Sequence, residues 1–201
     1  MPEKFPLASE LMNFIFAVAV AIIAAFIFYI FQIYLPQRKK RKMLKGNLEQ
    51  DYFHFKRSAL LIFFDAMKQP LDTWTKLSEE LLDLGKCRAF FEKRDEDGKQ
   101  SNWDRVFDGL HGQLLKDLLK MMGVLMDEVS YILNNLEIKD KDAFLYFKAL
   151  AGTTYDLRDV YDGAGFHDSK KRFLKIYLRG LLLGREKEDK EDRFLFMMKY
   201  I

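Results

Sequence analysis

The chain has 201 residues, a net charge of +3 and one cysteine, Cys87, so it holds neither an intramolecular disulfide nor a thiolate metal cluster. Its charge is unevenly placed: residues 1–45 carry seven Lys/Arg against two Asp/Glu, leaving 26 against 28 for all that follows. No concentrated basic face remains for DNA or RNA, and nucleic-acid binding is excluded from the expected activities.

The first element lies between Glu10 and Arg38, where no residue is charged and most are apolar. A hydrocarbon core of about 30 Å needs roughly 20 such residues in a helix. The run is too long for a signal-peptide core, lacks a basic segment before it, and ends in Tyr34-Leu35-Pro36 rather than a small-residue cleavage site. A transmembrane helix over 11–35 is expected, about 37 Å long and therefore tilted. Phe28, Tyr29, Phe31 and Tyr34 collect at its far end, a depth that suits aromatic rings. Ala17, Ala21 and Ala25 recur every four residues, a spacing that lets two membrane helices pack closely.

Arg38, Lys39, Lys40, Arg41, Lys42 and Lys45 follow at once. Basic flanks stay on the cytoplasmic side, so the N-terminal tail is expected outside and the rest of the chain in the cytosol. Those six cations also contact anionic lipid headgroups, at about 1 kcal/mol each. A lone cysteine suits the same reducing compartment. The expected organisation is a tail over 1–10, the span over 11–35, a basic juxtamembrane segment over 36–47 and a helical domain over 48–201. The style suits a bacterial inner-membrane protein.

Beyond the collar the periodicity is helical, and no segment sustains a period of two. Leu48, Tyr52, Phe55, Ala59, Ile62 and Ala66 alternate by four and three, in a helix either continuous with the anchor or broken from it at Gly46-Asn47. Pro70 opens a second helix that presents Trp74, Leu77, Leu81, Leu84 and Phe91. Lys93 to Asn102 is a polar loop. Its Asp95, Asp97 and Gly98 are not a calcium loop, because Lys99 stands at a ligand position and Val106 where the closing carboxylate belongs.

Ser101 and Asp104 are an N-cap and an acidic first turn for a long third helix, its apolar positions running from Trp103 to Leu136. Asp140 caps a fourth, with Phe144, Phe147, Leu150, Thr154, Leu157 and Tyr161 inward, until Gly163-Ala-Gly165 breaks it. Asp156, Asp159 and Asp162 form an acidic face there. Asp168 or Ser169 starts a fifth helix ending at Gly184. Arg185 to Arg193 is a charge run read as a solvated face, and the apolar Phe194–Met198 with Tyr200-Ile201 is expected to dock back on the domain. The expected fold is all-α: one N-terminal transmembrane helix, then an antiparallel cytoplasmic helical bundle of about five to six helices.

No catalytic constellation stands out, and no cofactor is called for. Asp51-Tyr-Phe-His54 and Asp108-Gly-Leu-His111 each place a carboxylate three residues before a histidine, which resembles the Glu-x-x-His pairs of carboxylate-bridged dimetal bundles. A metal-dependent enzyme built on Asp51, His54, Asp108 and His111 is the alternative reading, with Glu79 or Glu80 and Asp156 or Asp159 as further ligands. His167-Asp168 has the order of a phosphohydrolase dyad without its companion histidine. The leading expectation is a membrane-anchored interaction or scaffold module whose partners are lipid and either another protein or a second copy of the chain.

Overall fold

The computed structural model describes residues 6–159, 168–184 and 191–201, and every regular element among them is helical. Tyr161, Asp162, the Gly163–Gly165 break, His167 and most of the Arg185–Arg193 charge run lie outside the described residues. The chain divides into two compact units with the boundary between Leu44 and Lys45.

The first unit is built on α1 (Pro6–Tyr29), a short π-helical segment at Ile30–Tyr34, and the start of α2 (Leu35–Ala66). From Ser9 onward one helix is long and apolar enough to cross a membrane, and none of its most apolar window is buried. The π segment was not foreseen. It falls among the aromatic residues Phe31 and Tyr34 and widens the helix by a single turn without a glycine or proline inside it. Of the two alternatives for this junction the continuous helix is the one seen: Gly46 and Asn47 do not break it, and both lie within α2. An isolated glycine costs a helix only about 1 kcal/mol, which long flanking segments on both sides absorb.

In the second unit α2 buries Leu48, Tyr52, Phe55, Ala59, Leu60, Phe63 and Phe64. It ends through Lys68, whose φ of 54° is in the left-handed region, with Gln69 N donating to Phe64 O at 2.9 Å. A 3₁₀ turn (Leu71–Thr73) leads to α3 (Trp74–Glu80) and α4 (Leu84–Glu92). The second expected helix is thus two: Asp83 accepts from Lys86 N at 2.9 Å and caps a new start.

The third expected helix also divides, into α5 (Asn102–Gly109) and α6 (Gly112–Asn135). The capping box at Ser101 and Asp104 is formed as expected. The division has a steric cause at Gly109. A β-carbon there would stand 2.0 Å from the backbone oxygen of Ala66, so the chain passes against the end of α2 as only glycine can. Gly112 restarts the helix from φ 52°. The apolar rhythm continues across the break, which is why periodicity alone hides it.

α7 (Lys141–Asp159) is capped by Asp140, which accepts from Ala143 N at 2.7 Å. It packs along α6 and buries Ala143, Phe147, Leu150, Thr154 and Leu157. Phe144, expected inward, is 37 % exposed, while the preceding Ala143 is fully buried, so the buried face of α7 is turned by one residue there. α8 (Asp168–Leu182) ends before Gly184 at φ 81°. α9 (Arg193–Met198) packs on α7 and buries Phe194 and Met198, with Ile201 buried after it. The docked C-terminus expected from the sequence is present.

Candidate functional site

The four residues of the metal reading are not brought together. Asp51 and His54 lie on the exposed side of α2, opposite Tyr52 and Phe55. Asp108 is exposed on α5 and accepts a hydrogen bond from Gln100 Nε2. His111 does not share a helix with Asp108, because α5 has ended and His111 sits at the N-cap of α6, exposed and without a side-chain capping bond. Glu79 is paired with Arg57 at 3.2 Å on the surface, and Glu80 and Asp156 are exposed. Among the described residues no group of three or more His, Cys, Asp or Glu is spaced to hold a metal ion. The geometry therefore lends the metal reading no support.

Ala17, Ala21 and Ala25 share one stretch of α1 ahead of the π segment, so their four-residue spacing stays in register. All three are exposed. Arg38, Lys39, Lys40 and Lys42 are exposed on α2, and Arg41 is half-buried. Lys45 departs from the collar's pattern. Burial lowers its ammonium pKa, with Glu49 opposing that shift and Lys199 adding to it.

Two features in the second unit were not singled out from sequence. The first is a groove of about 850 Å³ between α7, α8 and α9. Its rim is apolar and open: Ile176 is 65 % exposed, Leu145 49 % and Phe173 48 %. Tyr146 and Met197 extend it toward α9, where the Arg193 guanidinium lies 5.6 Å from the Tyr146 ring centre. Tyr177 forms part of its wall and is tied to Leu150 O at 3.1 Å and Thr154 Oγ1 at 3.0 Å. Burial pushes the Tyr177 phenol up to about 12, so it is a neutral hydrogen-bonding group.

The second is a buried polar clasp. Lys56 Nζ lies 3.2 Å from Asp192 Oδ2, and both side chains are almost fully buried. Tyr52 OH donates to the same oxygen at 2.7 Å, and Lys56 also donates to Leu82 O at 3.0 Å. The other oxygen, Oδ1, caps α9 by accepting from Phe194 N at 3.1 Å. The Tyr52 ring stacks on Phe194 with centres 4.1 Å apart, and Phe147 meets Phe194 edge-on. Burial, then the Asp192 carboxylate, hold the Tyr52 phenol well above its ordinary pKa. Cys87 is also buried nearby, and its thiol is pushed up to about 12 by burial, with Asp192 adding to the shift and Lys56 opposing it. Such a thiol is a poor nucleophile at neutral pH. The clasp is closed to solvent, and its chemistry is fastening: it ties α9 to α2.

The clasp joins residues 136 positions apart and the groove arises from the packing of three successive helices, so no local motif announces either. Comparison with protein-family models, with curated proteins and with solved structures finds no match.

Proposed function

We propose that this chain is a single-pass membrane protein whose helical bundle, held on the cytoplasmic side, is an interaction module. The anchor reading is supported by the apolar segment of α1, none of whose most apolar window is buried among the described residues. A stripe that is apolar all round is stable only in hydrocarbon or in a large core. The collar at Arg38, Lys39, Lys40, Arg41 and Lys42, with Lys45, supports the orientation by the positive-inside rule and meets the lipid headgroups.

The interaction reading is carried by the groove between α7, α8 and α9. Contiguous exposed apolar surface rimmed by charged residues is the usual mark of a protein-docking surface. Here Leu145, Phe173 and Ile176 supply it, with Asp142, Arg179 and Arg193 around them. The occupant is a protein segment, from a partner or from a second copy of the chain.

Placing a photoactivatable side chain at Ile176 and irradiating intact membranes is expected to give one discrete crosslinked product. Phe173→Asp should abolish it, and a photoactivatable group at the exposed Lys139 should not produce it. The absence of any product from Ile176, Leu145 and Phe173 alike would overturn the docking role.

A further inference from the structure

The groove between α7, α8 and α9 carries projections and hollows on one surface. On α7 the exposed Leu145 is followed one turn later by Ala149, and on α8 the exposed Ile176 is followed by Gly180; all four line the groove. Residues four apart share a helix face, so each of these helices presents a large apolar side chain beside a small residue. Ile176 stands out furthest, at 65 % exposed, while Gly180 has no side chain and Ala149 only a methyl group. A surface that offers both knob and hollow can be complementary to its own copy turned about a two-fold axis.

The charges around the groove point the same way. Arg179 is paired with Glu92 at 2.6 Å, so its charge is already used within the chain. Asp142 is exposed at the start of α7 and has no ion-pair partner among the described residues. The Arg193 guanidinium lies 5.6 Å from the Tyr146 ring centre and likewise has no carboxylate partner among them. Tyr146 is one turn beyond Asp142 on α7, which brings both charges to the same part of the rim. What remains uncommitted is thus one carboxylate and one guanidinium. A strongly acidic or strongly basic partner would match only one of them, whereas a second copy supplies the opposite of each.

We infer that the occupant of the groove is a second copy of this chain, an assignment that rests on the docking role of the groove. In this two-fold contact Ile176 of each copy enters the hollow over Ala149 and Gly180 of the other, and Asp142 of each meets Arg193 of the other. Copies held by the same membrane anchor share one plane and one orientation, which raises their effective concentration toward each other. An isologous contact then needs no surface beyond the one groove.

The test uses two versions of the full chain that differ only in an affinity tag, produced together, with a photoactivatable side chain at Ile176 in one of them. Irradiating intact membranes is expected to give a product of twice the chain mass that carries both tags. A product joining one tagged chain to a different protein would overturn the second copy and leave the docking role standing. No product from Ile176, Leu145 or Phe173 would overturn both.

Charge reversal then tests the two-fold geometry. Asp142→Arg in both versions should lower the two-tag product about tenfold or more, because like charges then face each other twice across the contact. Arg193→Asp in both versions should do the same. Asp142→Arg in one version with Arg193→Asp in the other should restore the product, since each reversed charge then meets its opposite. An effect confined to a single chain cannot be restored in that way. Two-tag product that is indifferent to both reversals, or that the mixed pair fails to recover, would overturn the two-fold contact.

Discussion

Asp192→Ala is expected to destabilise the helical domain by about 3–5 kcal/mol, because it strands a buried ammonium. Lys56 is 1 % exposed and, among the described residues, would keep only Leu82 O as an acceptor, at 3.0 Å. The same change removes the nearer of two acceptors of Tyr52 OH, leaving Leu181 O at 3.2 Å, and removes the cap of α9. Losing an N-cap alone costs about 1 kcal/mol. Domains of ordinary stability have about 5–15 kcal/mol in total, so the loss is a large fraction of what holds the fold. Denaturant unfolding of the full chain in detergent, followed by near-ultraviolet circular dichroism, measures it. Protease should then cut near Glu191, releasing the docked C-terminal segment. The double variant Lys56→Met with Asp192→Leu should recover most of the loss, since replacing both buried charges by apolar groups is often neutral or better. A cost below about 1 kcal/mol for Asp192→Ala would mean that the pair is solvated, because exposed ion pairs are worth that little.

Gly109→Ala is the second large effect. The added carbon would meet the Ala66 carbonyl oxygen at 2.0 Å and its carbon at 2.8 Å, both backbone atoms that no rotamer change can move. Overpacking costs about 1–3 kcal/mol even where side chains give way, and here two helix ends must separate, so about 3 kcal/mol or more is expected. Gly152→Ala is the matched control. A β-carbon there meets nothing within 4 Å, and the site is exposed in α7. Removing a glycine from a helix interior should add about 1 kcal/mol of stability. Thermal unfolding of the two variants side by side should therefore move in opposite directions. A Gly109→Ala protein as stable as the parent would show that α5 does not rest against the end of α2.

These two positions also mark where sequence reasoning reaches its limit. Caps are local, so Ser101 with Asp104 and Asp140 were legible, and each is seen in its expected role. The long apolar stretch of α1 was legible for the same reason: length and composition are read off directly. The clasp was not. Lys56 stands beside Arg57 and looks like a surface residue, while Asp192 stands in a charge run that reads as a solvated face. Only the fold brings them together, across 136 positions of chain. The break between α5 and α6 left a trace in Gly109 and Gly112, but the apolar rhythm passing through it outweighed that trace. The histidine pairs show the converse error. The Asp108–His111 spacing suggests a shared helix face only while the helix continues, and α5 stops between them.

The groove was equally invisible, because it depends on how three successive helices pack and not on any one of them. Leu145 and Ile176 look like ordinary core positions of amphipathic helices, and it is their exposure that distinguishes them. Trp103 looked like a core aromatic and is one. What the sequence withholds is that its N–H is buried without an acceptor among the described residues.

The central claim, a single span with the helical domain on the cytoplasmic side, is tested most directly by cysteine labelling in spheroplasts with a membrane-impermeant maleimide. Cys87 is buried, with its thiol pushed up to about 12, and stays silent in this assay. Glu3→Cys and the exposed Ser169→Cys provide one reporter on each side of the span. Glu3→Cys is expected to label in intact spheroplasts, and Ser169→Cys only after lysis. Labelling of Ser169→Cys in intact spheroplasts would contradict it.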